Sequence, residues 1–259
     1  MLLADTHVHL FAGRDDGPET IDEAAAMAKM LVAEGVRYAA ALSHQNPDYP
    51  ENTAAELRLA AQQFVTRLAV DKTPLLVCPS GEVMLGPDLI ADWHAGKLLS
   101  LGDHGQFLLV EMPHGLFLDA RGVAAELGKA GVRLVIAHAE RYPELLHDPG
   151  TIEGLIAAGC LVQVTANELA YPSDARDERA LRDWARRGVI HMLGSDGHNL
   201  SRREPRLKAG YEAVARMAGR AAADRVGGIW GSAVLQGLPV KVPPPLPKPR
   251  SWFTGLFGG

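Results

Sequence analysis

FLLVEMPHGLFLDARGVAAELGKAGVRLVIAH, residues Phe107–His138, carries the pattern that decides the fold. An apolar run (Gln106–Met112) leads into an Ala-rich amphipathic stretch (Asp119–Ala130), which stops at Gly131 before a second apolar run (Arg133–Ala137). Asp119 is a residue type that caps a helix N-terminus, and Gly131 a type that ends one. Strand, helix, strand in this order predicts two parallel strands, because parallel neighbours need a helical crossover. Both apolar runs finish on a metal-ligand type of side chain, Glu111 and His138.

The same alternation extends in both directions. Further strands are expected at Leu2–Leu10, Tyr38–Ser43, Leu75–Val83, Cys160–Thr165 and Ile190–Gly194. Helices are expected at Thr20–Glu34, Asn52–Ala69, Asp148–Ala158 and Ala175–Arg187, with Thr20 and Asn52 as caps and Gly35, Gly159 and Gly188 as stops. Two final helices, Pro205–Ala218 and Arg220–Leu235, would close the domain. The seven strands are apolar on both faces, as buried parallel strands are. A chain of 259 residues can form one undivided α/β barrel, and a doubly wound sheet also fits. No GxGxxG or GxxxxGK[ST] follows a strand, which counts against a nucleotide-binding sheet.

The domain is expected to span residues 1–238. Residues 239–259 read as a proline-rich, apolar tail, since VKVPPPLPKPR stops any helix. The tail reads as a loose terminus, or else as a docking arm presenting Trp252, Phe253, Leu256 and Phe257. A net charge of -5 leaves no basic surplus to attract nucleic acid. The N-terminus lacks the basic and apolar regions of a signal peptide, and no run reaches the ~18 apolar residues of a membrane span. The two cysteines, Cys78 and Cys160, form no CxxC pair, which suits a reducing compartment. The expected location is therefore cytoplasmic.

The polar residues fall at strand ends, and in an α/β barrel the strand C-termini converge on the face that holds the active site. His7 and His9 are two apart on a strand and so face one side; Asp196 and His198 repeat the spacing. His44, Glu82, Glu111 and His138 end other strands. Glu82 and Glu111 follow apolar runs, and a buried carboxylate needs a counter-charge. No basic residue sits at a strand end except Arg141, just past His138. Divalent cations are the natural partners, and mixed His and carboxylate donors suit manganese, iron or zinc. With Asp16 the candidate set is nine residues: His7, His9, Asp16, His44, Glu82, Glu111, His138, Asp196 and His198. A single hydrolytic zinc uses about three protein ligands, so nine imply two or three ions. Arg141 is placed to hold a phosphate bidentately. His191 and His147 read as structural, and His114 as a lining residue outside the metal set.

These residues resemble the PHP (polymerase and histidinol phosphatase) superfamily. The likeness rests on DTHVHLFAGRDDGP (Asp5–Pro18), LSH (Leu42–His44), GEV (Gly81–Val83), LLVEMP (Leu108–Pro113), AHAERY (Ala137–Tyr142), QVTANEL (Gln163–Leu169) and GSDGHN (Gly194–Asn199). Asp15-Asp16-Gly17 and the Ala-Glu-Arg-Tyr run after His138 look most like bacterial PHP-type manganese-dependent protein tyrosine phosphatases of capsule and exopolysaccharide clusters. The resemblance implies a distorted (β/α)7, TIM-like barrel with a trinuclear Mn2+ site, iron, zinc or magnesium being alternatives. It places His7, His9, Glu82 and Asp196 on one ion, Glu82 with Glu111 and His138 on a second, and Asp16, His44 and His198 on a third. It makes Arg141 a phosphate ligand and Arg206 a second one. The chain departs from the pattern at Ser43, at Gln45 and at Ala139.

The implied reaction is one-step phosphotyrosine hydrolysis by a metal-bridging hydroxide on a protein substrate, such as a membrane-associated bacterial tyrosine kinase. A cysteine mechanism is excluded. It needs Arg six residues after Cys, where this chain has Met84 and Ala166. The same residues also suit a small-molecule phosphatase acting on histidinol phosphate, or a phosphodiesterase. A reading from another class is a regulatory module that docks on a kinase through the tail.

Overall fold

The computed structural model describes residues 2–248. Nine strand segments run in chain order: β1 (Leu3–His9), β2 (Val36–Leu42), β3 (His44–Gln45), β4 (Leu76–Pro79), β5 (Glu82–Met84), β6 (Phe107–Glu111), β7 (Arg133–Ile136), β8 (Leu161–Thr165) and β9 (Met192–Gly194). All pairings are parallel, in the orders β1-β2-β4 and β3-β5-β6-β7-β8-β9. β3 continues β2 past Ser43, and β5 continues β4 past Ser80 and Gly81. The seven expected strands are therefore present, two of them broken. A bridge from Val8 to Gly197 brings the last strand's exit back beside the first. The result is the expected distorted, TIM-like parallel barrel.

Two apolar layers hold it. Outward residues such as Leu108, Val110, Ile136, Val162 and Val164 pack under the helices with Leu31, Leu57 and Phe64. Inward residues, including Ala40, Leu42, Leu109, Val135, Ala137, Leu161 and Met192, fill the barrel. Successive strand residues thus alternate between two buried layers, the arrangement parallel sheets require. One end of the interior is closed by Leu101, Val234, Leu235 and Val240. The other end is polar.

Helix starts and stops follow local chemistry. Thr20 caps Ile21–Ala33 through Glu23 N–H, as expected. The cap of Ala54–Val70 is Thr53, not Asn52. Asn52 donates instead to the Arg14 and His44 carbonyls and ties the β3 exit to the loop after β1. Pro205–Ala218 begins as a helix only at Lys208. Arg220–Leu235 is interrupted by a π-helical turn at Arg225–Ile229. That turn lies against Tyr211, whose ring would be 2.8 Å from a Cβ at Gly227. Short helices at Leu89–His94, Pro143–Leu146 and Ala166–Ala170 were not expected from the sequence.

Residues 239–248 are extended, as their prolines dictate, yet they are held against the barrel. Arg133 donates to the Val240 carbonyl at 2.9 Å, and Val240 is buried. Leu246 exchanges backbone and side-chain hydrogen bonds with Arg187. The anchors considered at Trp252–Phe257 lie outside the described residues. No helix among the described residues is long and apolar enough to cross a membrane.

Candidate metal centre

All nine expected donors meet at the polar end of the barrel, where Asp16, His44, Glu82, Glu111, His138 and Asp196 line a cleft of about 1100 Å³ and His7, His9 and His198 lie buried beside them. The backbone aims them there by breaking strand alternation. On β1, Leu3 faces the outer layer and Ala4 the interior, so regular alternation would turn His7 and His9 outward. The register with β2 shifts between Asp5 and Val8, a bulge-like irregularity. After it Val8 faces outward, and His7 and His9 face in. Bulges of this kind re-aim side chains beside active sites. Val135 on β7 and Ala137 just past its end face inward, so an extended chain would point His138 away. Instead His138 takes a left-handed conformation (φ 31°), and so does Asp196 (φ 53°). Non-glycine residues there are strained, and such strain gathers at functional sites.

Glu82 is the hub. Its Oε1 lies 2.9 Å from His138 Nε2. Its Oε2 lies 3.2 Å from His7 Nε2, 3.3 Å from His9 Nε2 and 3.2 Å from His44 Nδ1. Glu111 Oε1 is 3.0 Å from His44 Nδ1, and Glu111 Oε2 is 3.9 Å from His138 Nε2. Asp16 Oδ1 reaches His44 Nε2 at 3.4 Å and His198 Nε2 at 3.2 Å. Asp196 Oδ1 lies 3.3 Å from His7 Nε2 and 3.7 Å from His9 Nε2. Three groups have donors close enough together to share an ion: His7, His9 and Glu82; His44, Glu82 and Glu111; and His9, Asp16, His44 and His198. His9 and His44 thus serve more than one group, which the sequence did not suggest.

The donor set fits divalent cations. Glu82 Oε2 and His198 Nε2 are buried and make no hydrogen bond among the described residues, although three imidazole nitrogens stand near the first. His7 Nε2 and His9 Nε2 face each other at 3.3 Å, so two imidazoles direct ring nitrogens into one space. Donors held ~2.0–2.2 Å from a common ion sit about 3–3.5 Å apart, as these do. Charge points the same way. Four carboxylates converge, and the cations among them are Arg141 and Arg203, each 2.7 Å from Asp196 Oδ2. Burial works against charge on His44, but hydrogen bonds to Asp16 and Glu111 and the nearby Glu82 push it up to about 12. Burial likewise opposes charge on His9, and Asp15 lifts it to about 9. Burial would raise Asp196, but His7, Arg141 and Arg203 hold it well below the usual carboxylate range. The cluster carries a surplus of negative charge that attracts protons or metal ions.

A second set of residues orients the first. Asp15 accepts from His9 Nδ1 at 2.7 Å and from the His44 and Gly17 amides, fixing the His9 ring with Nε2 toward the cluster. Ordered carboxylate–imidazole pairs of this type tune metal ligands. Gln163 Oε1 accepts from the strained His138 amide at 2.7 Å. Asp5 Oδ1 accepts from His7 and Ser195 amides, locking β1 to the β9 exit. Gly194 must lack a side chain, since a Cβ there would be 2.4 Å from His7 Cβ and Gln163 Nε2. Gln45, at a position where the resemblance leads one to expect histidine, is structural. It bonds the Asn52 and Lys97 carbonyls and the Leu99 amide.

Arg141 lies at the cleft beside Asp196, with Glu168 gripping its Nε and Nη2 at 2.8 and 2.7 Å. Arg206 lines an adjoining hollow of about 170 Å³ together with Arg141, Arg203 and Asp196. Its guanidinium pairs with Glu204 and Glu34 and is half exposed. Arg203 reaches the donors directly, touching Asp196 Oδ2 at 2.7 Å and Asp16 Oδ2 at 3.3 Å. The reason is the loop after His198. Asn199 Oδ1 accepts from the amides of Ser201, Arg202 and Arg203 and turns the chain back, so that His198 N–H meets the Arg203 carbonyl. The only sequence signal for Arg203 is its place in the loop leaving the last strand. His191 is buried, accepts from Val162 N–H and is held neutral, pushed down to about 3 by burial and Arg133. His147 pairs with Asp177 away from the donor cluster, and His114 lines the cleft mouth. Both cysteines are buried, and burial pushes their thiols up to about 12.

A family model for capsular polysaccharide synthesis, CpsB/CapC, matches residues 3–235. The tyrosine-protein phosphatase YwqE of Bacillus subtilis (strain 168) is 30% identical over 78% of this chain and 79% of its own. The tyrosine-protein phosphatase CpsB of Streptococcus pneumoniae is 25% identical over 84% and 91%. A chain from the crystal structures of YwqE from Bacillus subtilis and CpsB from Streptococcus pneumoniae, described as unique metal-dependent tyrosine phosphatases, superposes with a TM-score of 0.86. It covers 96% of this chain and 100% of that one at 27% identity. A phosphotriesterase homology protein from Escherichia coli shares the fold at a TM-score of 0.55 and 15% identity.

Proposed function

The chain belongs to the CpsB/CapC family of capsular polysaccharide synthesis, and we propose on that footing that it is a metal-dependent protein tyrosine phosphatase. The observation that carries this is the convergence of nine donors at one end of the barrel, with Arg141 and Arg203 meeting on Asp196 at their side. His7, His9, Asp16, His44, Glu82, Glu111, His138, Asp196 and His198 would hold two or three ions, with manganese as the favoured metal. Bound there, divalent ions supply charge to neutralise a phosphate and activate a water molecule.

The remaining work falls to the chain itself. Arg141 and Arg203 present donors that suit the non-bridging oxygens of a phosphate, as guanidinium groups do. Glu168 holds Arg141 in place, and Asp15 holds His9. The phenolate of tyrosine, with a pKa of ~10, is a tolerable leaving group, so no side chain need form a covalent intermediate. The substrate would be a phosphotyrosyl protein, such as a membrane-associated tyrosine kinase of capsule export, and the setting cytoplasmic. Residues 1–238 would form the catalytic unit, with 239–259 as an appended segment.

The test is metal analysis of purified protein beside turnover of a phosphotyrosyl peptide, a phosphoseryl peptide and histidinol phosphate. Activity on phosphotyrosine that chelation abolishes and manganese restores is expected. Activity that survives chelation, or faster turnover of histidinol phosphate, would reject the proposal.

A further inference from the structure

Beside the catalytic cleft lies a second hollow of about 480 Å³, which the reaction leaves unused. Apolar side chains dominate it: Pro47, Val83, Leu85, Pro87, Leu89 and Pro113. The two hollows share a wall, since Asn46, Tyr49 and Met84 line both. Tyr49 stands at the junction, its ring nearly parallel to the His44 imidazole (7°) at 5.8 Å. Pro47, Pro50 and Pro87 are exposed at the hollow, although an apolar recess gains by being covered. Its charged lining residues largely offset one another, since Lys97 pairs with Asp92 at 2.7 Å and Asp88 stands beside them.

We infer that this hollow is a specificity subsite that takes an aliphatic or aromatic side chain of the substrate polypeptide, close in sequence to the phosphotyrosine. The inference rests on the phosphatase reading. An extended peptide advances ~3.3 Å per residue, so a residue within three positions of a phosphotyrosine seated at the donor cluster lies within about 10 Å of it. The occupant is committed by continuity with the cleft and by the apolar lining. The preferred substrate has an apolar residue in that window.

Gly86, one of the lining residues, offers a clean perturbation. A Cβ at Gly86 would meet nothing within 4 Å, and the backbone there lies outside the left-handed region. Gly86→Phe should therefore fill the hollow without disturbing the barrel, and Gly86→Ala should barely alter it. The full-length, manganese-loaded protein and both variants are assayed with phenyl phosphate, which is too short to reach the hollow. They are also assayed with phosphotyrosyl peptides carrying a single Leu scanned through the three positions on either side in a Ser background.

At least one Leu position is expected to raise kcat/KM about tenfold over the all-Ser peptide, chiefly through KM. Gly86→Phe should remove that preference and Gly86→Ala keep it, with phenyl phosphate turnover within about twofold throughout. A flat Leu scan in the unaltered chain, or a preference that survives Gly86→Phe, overturns the inference. Loss of turnover on phenyl phosphate and on every peptide would instead overturn the phosphatase reading. If replacing Trp252 and Phe253 by Ser raises turnover of the Leu peptides, the hollow belongs to the chain's own C-terminal segment. If Gly86→Phe changes the oligomeric state, it belongs to a second copy. Either outcome also overturns the inference.

Discussion

Replacing Glu82 by Gln tests the metal centre at its hub. The substitution preserves shape, so the apolar layers around Val83 and Leu109 should stay packed. What changes is one charge and one oxygen, at a residue whose two oxygens lie within 2.9–3.3 Å of His138, His7, His9 and His44. Removing a group that only orients a ligand costs roughly 10–100-fold in metal affinity. Glu82 belongs to two of the three donor groups directly, so about 100-fold per group is a floor, or ~2.7 kcal/mol. Metal content should fall to at most one ion per chain, and kcat should fall by at least about 10³-fold, the upper range for losing a preorganised electrostatic element. In the unaltered chain, metal at 100 times its dissociation constant stabilises by ~2.7 kcal/mol, which raises the thermal midpoint by roughly 5–10 °C for a domain of this size. The variant should show less than half that shift. Mass spectrometry of the desalted protein, thermal unfolding with and without manganese, and phosphotyrosyl turnover give the three readouts. A folded E82Q protein with full metal content and kcat within tenfold of the parent would refute the argument.

Three further outcomes are expected. In metal-free protein the folded state holds His9 at about 9 and His44 up to about 12, against 6.5 ordinarily. It then binds more protons than the unfolded chain above pH ~6.5, so this stabilisation is full below that pH and declines as pH rises toward 9. Metal competes with the same protons, so thermal midpoints measured with chelator and with manganese should slope in opposite directions across that window; parallel slopes would contradict the donor assignment. Arg203→Ala should lower kcat/KM on phosphotyrosyl peptide about 10²-fold, whereas Arg206→Ala should change it less than about twofold; equal losses would return Arg206 to the site. Asp15→Asn leaves packing intact but withdraws the charge facing His9 Nδ1, and should weaken manganese about 10–100-fold by titration. Unchanged affinity would show that His9 needs no such partner.

Much of this molecule is legible in one dimension, because two periodicities mark it. Apolar runs such as Phe107–Val110 must be strands buried on both faces, and the polar residues that end them must sit at the barrel mouth. His44, Glu82, Glu111 and the His7–His9 pair are legible in that way as candidate ligands, because the donor type of each residue is a matter of its own chemistry. What the sequence could not state is how the backbone departs from regularity. The irregularity between Asp5 and Val8 decides which face His7 and His9 occupy, and left-handed turns at His138 and Asp196 decide where those side chains go. Asp15, Glu168 and Gln163 act by reaching residues on other elements. That Arg203 touches Asp196 while Arg206 pairs with Glu204 turns on one asparagine-capped loop. Local composition sets which residues are able to bind metal or phosphate, since that is a property of each side chain. Long-range contacts alone set where they point, because the torsions concerned are strained and persist only when the surrounding packing enforces them.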